Sequence, residues 1–126
     1  MARVFVLFST ISFFLFFGDS LSAGEESYEL ENNLRWKTAS EVSNFGFDVY
    51  RSRDESGPFD RITDRPMAGA GNSDVPQQYE FVDDTIEPCV VYWYYVESIS
   101  LDGEREKFTP VFSSRPKPEG GKDSCE

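Results

Sequence analysis

From Ser27 to Lys37 the chain alternates: Tyr28, Leu30, Leu34 and Trp36 share one parity, and Glu29, Glu31, Arg35 and Lys37 the other. A period of two is what a strand with one buried face requires. Asn32-Asn33 breaks the run with turn-prone residues, so the pattern predicts two strands joined by a tight turn. Thr38 to Asn44 is polar and predicts a loop, with room for no more than one helical turn at Ser40–Ser43. Phe45, Phe47 and Val49 then alternate with Gly46, Asp48 and Tyr50 as a further strand. Asp54 to Pro58 is a turn cluster, and Phe59 to Thr63 a short return strand. Asp64 to Gln78, with Pro66, Gly69, Gly71 and Pro76, reads as a long irregular connection. Tyr79–Asp83 and Val90–Ser98 are strands, the second dense in β-branched and aromatic residues. Asp102-Gly103 signals a hairpin into a last strand, about Glu104 to Ser113. Pro110 inside that strand predicts an edge position or a bulge. Beyond Pro116 no apolar periodicity remains, and the end reads as a flexible tail.

Strands at this spacing, with no helical segment between them, predict an all-β antiparallel sandwich of about seven strands. The run Leu34-Arg35-Trp36, the pair Phe47 and Val49, and the stretch Ile86, Pro88, Tyr92, Tyr94 and Val96 carry a more specific likeness. Together they resemble the fibronectin type III-like, immunoglobulin-like modules of secreted bacterial proteins, over Leu34 to Val111. The resemblance implies that Trp36 lies on strand B, that Phe47 and Val49 lie on strand C, and that Tyr92 on strand F forms the tyrosine corner. One departure is Cys89, which stands where these modules usually have the glycine of a Pro-Gly turn. Such motifs specify a scaffold and no activity.

The N-terminus changes the picture of compartment. Val4 to Phe17 is apolar except for Ser9, Thr10 and Ser12, and follows Arg3. As a helix it would be about 21 Å long, short of the roughly 30 Å hydrocarbon core. Small residues follow at Ser20-Leu21-Ser22-Ala23, so residues 1–22 read as a secretory signal peptide cut after Ser22 or Ala23. An uncleaved anchor is the competing reading, because the start is poor in positive charge. The expected organisation is signal peptide 1–22, module 23–116 and tail 117–126. The expected location is secreted or extracytoplasmic, periplasmic in a Gram-negative source, with no membrane insertion after cleavage. A formal net charge of −11 excludes nucleic acid, whose phosphates need a basic surface. Cys89 and Cys125 would persist as a disulfide in such a compartment, and a link from Cys125 to another chain is the rival pairing.

Chemistry is sparse. With no histidine, a general base near neutral pH would need a strongly shifted carboxylate or lysine. Asp60, Asp64, Asp83, Asp84 and Glu97 belong to no catalytic motif. Gly69-Ala70-Gly71-Asn72 lacks the strand, helix and lysine of a phosphate cradle. Asp83-Asp84 with Asp74 or Asp102 could gather oxygens for a calcium ion but forms no EF-hand pattern; the expected reading is a solvated acidic loop without metal, with calcium as the alternative and no cofactor. Strand parity sends Tyr92, Tyr94 and Val96 inward, and Trp93, Tyr95 and Glu97 outward. The same parity puts Tyr50 and Asp48 outward on the neighbouring strand. Tyr50, Trp93 and Tyr95 are therefore the candidate partner-binding patch, unless they merely pack on one another. The expectation is a non-catalytic binding or structural module for an extracytoplasmic protein. A carbohydrate-binding accessory protein that stacks aromatics on a cell-surface glycan is the alternative.

Overall fold

The computed structural model describes residues 28–120 and 122–125. The signal-peptide expectation lies outside the described residues. Among them no helix is long and apolar enough to cross a membrane. The fold is all-β, built from β1 (Asn32–Thr38), β2 (Glu41–Ser52), β3 (Asp60–Arg61), β4 (Met67–Ser73), β5 (Gln77–Asp83), β6 (Trp93–Ser100), β7 (Arg105–Lys107) and β8 (Phe112–Ser113). Every pairing is antiparallel. β1 and β5 form a two-stranded sheet, and the remaining strands form a six-stranded one around β2 and β6.

Alternation places the core. β1 buries Leu34 and Trp36 and exposes Asn33, Arg35 and Lys37. Across it, β2 buries Phe47 and Val49, and β6 buries Tyr94 and Val96. These side chains, with Ile86 and Tyr92, form one apolar cluster shared by both sheets. The aromatics interlock: Phe47 meets Trp36 edge-on at 5.6 Å, and Trp36 stacks on Tyr79 at 5.7 Å. The Trp36 indole N–H is buried without a hydrogen-bond partner, a cost of about 1–3 kcal/mol that the packing must outweigh.

Two carboxylates tie the layers together. Asp83, at the end of β5, accepts both contacts of the Arg51 guanidinium at 2.9 Å and the Tyr94 hydroxyl at 2.7 Å. Asn32 in turn donates to the Tyr94 oxygen at 2.9 Å. Glu41, at the start of β2, accepts from the Tyr79 hydroxyl at 2.5 Å, Thr38 at 2.9 Å and the Ala70 amide at 2.7 Å. Burial pushes both carboxyls upward, but these hydrogen bonds outweigh it and hold each below its ordinary value.

Several expectations need correcting. One strand, not two, occupies the first alternating run, because Asn32 turns its amide inward to Tyr94 instead of making a turn. The expected loop over 38–44 shrinks to Ala39-Ser40, since β2 begins at Glu41 and bends through bulges near Asn44. The connection at 64–78 contains β4. It pairs with β2 only because facing glycines let the backbones close: a Cβ on Gly46 would lie 2.1 Å from the Met67 carbonyl oxygen. Pro110 splits the last strand into β7 and β8.

The tail is held rather than free. Cys89 and Cys125 form a disulfide. The Cys89 amide donates to the Lys117 carbonyl at 2.7 Å, and Lys117 Nζ donates to the Glu31 carbonyl. Cys89 adopts a left-handed backbone, with φ at 59°. Beside it, the Tyr92 hydroxyl accepts the Glu87 amide at 2.9 Å.

Candidate functional site

The outward face of the six-stranded sheet carries the three predicted residues. Register fixes their arrangement: Tyr50 on β2 lies opposite Tyr95 on β6, and Ser52 lies opposite Trp93. Tyr50 and Tyr95 stack at 4.8 Å with planes 5° apart. Phe59, just before β3, closes on Tyr95 edge-on at 5.0 Å. Lys107 on β7 sets its ammonium 4.6 Å from the Tyr95 ring centre. Trp93 extends the row toward β8, opposite Ser113. The structure thus brings Tyr50 and Tyr95 into contact and places Trp93 next along the same face. All three are half-buried rather than exposed, which corrects the expected patch. Cross-strand stacking removes part of each ring from water.

A polar row borders the aromatic one. Asp48, fully buried, accepts from Thr63 at 2.6 Å and from Arg105 at 2.9 Å. Arg105 also reaches Glu97 at 2.6 Å, and Glu97 accepts from the Tyr50 hydroxyl at 3.1 Å. Arg61 stands 3.8 Å from Asp48. Burial, then the hydrogen bond and charge of Glu97, push the Tyr50 hydroxyl up, and burial with the Glu97 charge does the same at Tyr95. Both phenols stay protonated, as donors, at neutral pH. Asp48 was legible as outward-facing by parity, but Thr63 and Arg105, which bury it, come from distant segments with no local signal.

The remaining acids are dispersed. Asp83 and Glu41 spend their acceptors on the layer contacts above, and among the described residues no group of three or more Asp, Glu or Cys could hold a metal ion. Compared with protein-family models, curated proteins and solved structures, the chain matches none.

Proposed function

We propose that this chain is a secreted, non-catalytic binding module, an immunoglobulin-like sandwich of fibronectin type III type, that contacts another extracytoplasmic protein. The observation that carries this reading is the pre-ordered aromatic row Tyr50–Tyr95–Trp93 on the outward sheet face, flanked by Lys107, Arg105 and Glu97. Rigid amphipathic rings with satisfied polar neighbours remove area from water at little entropic cost, which is the composition of interface hot spots. Non-catalytic action is supported by the chemistry of the buried carboxylates Glu41, Asp48 and Asp83, each of which accepts hydrogen bonds from structural donors on both oxygens. The glycan alternative has less support: a sugar needs an open ring face, and Tyr95 is already covered by Tyr50 and Lys107.

The test places a photo-crosslinker at residue 93, and for comparison at residue 80 on the opposite sheet, in protein secreted by its own host. One recurrent protein partner captured from position 93 alone is the expected result, with capture lost in Tyr50→Ala. Glycan-array binding without any protein capture would replace this reading by the carbohydrate one.

A further inference from the structure

The smaller sheet is incomplete on one side. β1 pairs with β5 along its whole length, and among the described residues its other edge faces no strand. An antiparallel strand alternates the direction of its N–H and C=O groups, so part of the β1 backbone presents unpaired groups along that edge. Two clefts open beside it, where β1 looks across to β7 and β8. One, of about 300 Å³, lies between Asn33-Leu34 and Phe112. The other, of about 550 Å³, lies at the end of β1, between Thr38 with residues 41–44 of β2 on one side and residues 104–106 with Phe108 on the other, and Phe47 and Ser98 from the core side stand in its wall. They flank the two ends of the same strand edge; their walls are mostly polar, with Leu34, Phe112, Phe47 and Phe108 as the apolar spots in them.

Residues 28–31 do not run along this edge. Glu31 is fixed to Lys117 through its carbonyl, and Gly120 lies against Tyr28, so 28–31 leave β1 beside the tail. Charge differs between the two ends. At the β7 end Glu104 and Glu106 are exposed, and Arg105 between them is ion-paired with Asp48 and Glu97. At the β8 end stands the exposed Arg115. A net charge of −11 opposes self-pairing of two copies.

We infer that the free edge of β1 accepts an extended segment of a partner protein, which adds as a strand between β1 and the β7–β8 side. The segment alternates apolar and polar residues, so that one row of side chains enters the gap beside Leu34 and Phe112. Its charges are complementary at the two ends: lysine or arginine against Glu104 and Glu106, and a carboxylate against Arg115. This surface is separate from the Tyr50–Tyr95 face, and a partner can engage either without the other.

The experiment uses the full secreted chain, isotope-labelled, titrated with a short synthetic peptide alternating valine and threonine, with lysine at one end and aspartate at the other. The expected result is saturable change at the amides of Leu34, Trp36, Thr38 and Phe112, with new exchange protection along β1. Changing Glu104 and Glu106 together to lysine should weaken the peptide by about three- to tenfold. A peptide with aspartate at both ends should recover that loss. Four results overturn the inference. These are no saturable change at β1, change confined to the Tyr50–Tyr95 face, edge amides already protected at high dilution, which means the chain's own residues fill the groove, or protection that rises with protein concentration alone, which means a second copy does.

Discussion

At Trp36 a large ring is worth burying although its N–H finds no acceptor. Removing the ring and removing the orphan donor are separable by substitution. Trp36→Ala leaves a cavity among Phe47, Tyr79 and Leu34 and should cost about 3–5 kcal/mol in chemical denaturation. Trp36→Phe loses less volume and no longer buries an unpaired donor, so its cost should be well under half of that. Equal losses for the two would mean that the N–H is satisfied in solution, by a water or a shifted neighbour. Trp93 provides the contrast, since it is half-buried on the outward face. Trp93→Ala should leave the melting temperature within a few degrees of the parent, and a loss as large as that of Trp36→Ala would make it a core residue.

Between elements, the Arg51–Asp83–Tyr94 group joins β2, β5 and β6 across the two sheets. Replacing Arg51 by methionine strands a carboxylate that is almost wholly buried. The expected cost lies somewhat below the roughly 3–5 kcal/mol of a fully buried pair, because the arginine side chain is 23% exposed. The same groups govern acid stability. Asp83 and Glu41 titrate below their ordinary values of 3.8 and 4.5 when folded. Their contribution is therefore complete above those values and is lost as pH falls through the lower folded ones. Urea midpoints should drop steeply below about pH 4, and Asp83→Asn should flatten that limb. At the other extreme, burial and Glu41 push Tyr79 up to about 12, so stability should decline as pH rises from 10 toward that value. Strand alternation made the Leu34–Lys37 part of β1, the Phe47–Tyr50 part of β2 and most of β6 legible in the sequence, because one face of each is core and the other is not. β4 was not legible: Met67 to Ser73 is rich in glycine and alanine, and its place rests on the close approach of Gly46 and Gly69 to the facing backbone. The candidate face was half legible for a related reason. Parity gives the direction of Tyr50, Trp93 and Tyr95, whereas their mutual coverage depends on register and on Phe59 and Lys107 from elsewhere.

For the molecule as a whole, the disulfide decides what the last part of the chain does. Nothing in the composition of Pro116 to Glu126 signals order, and the tail is held by Cys125 together with the Lys117 contacts. Closing a loop of sequence separation 36 is worth roughly 3–4 kcal/mol in the chain-entropy treatment. Cys125→Ser should lose about that much in denaturant titration, and native protein should show no reactive thiol. A homodimer that dissolves on reduction would instead place the bond between chains. Cys89→Gly separates two contributions, since it relaxes the left-handed backbone at φ 59° while deleting the link. It should therefore cost less than Cys125→Ser, by up to about 1–2 kcal/mol.

The same bond alters how the protein would bear tension. Pulled from its ends, the chain transmits load through β1 to β5 as far as Cys89 and then passes directly to Cys125. β6, β7 and β8 lie inside the covalent loop and cannot be drawn out lengthwise. In a single-molecule stretching experiment the oxidised protein should lengthen on unfolding by roughly 120 Å less than the reduced one, the reach of the locked segment at about 3.3–3.6 Å per residue. The strand bearing Tyr95 and Trp93 would then stay inside a closed loop under a pull that extends the rest of the chain.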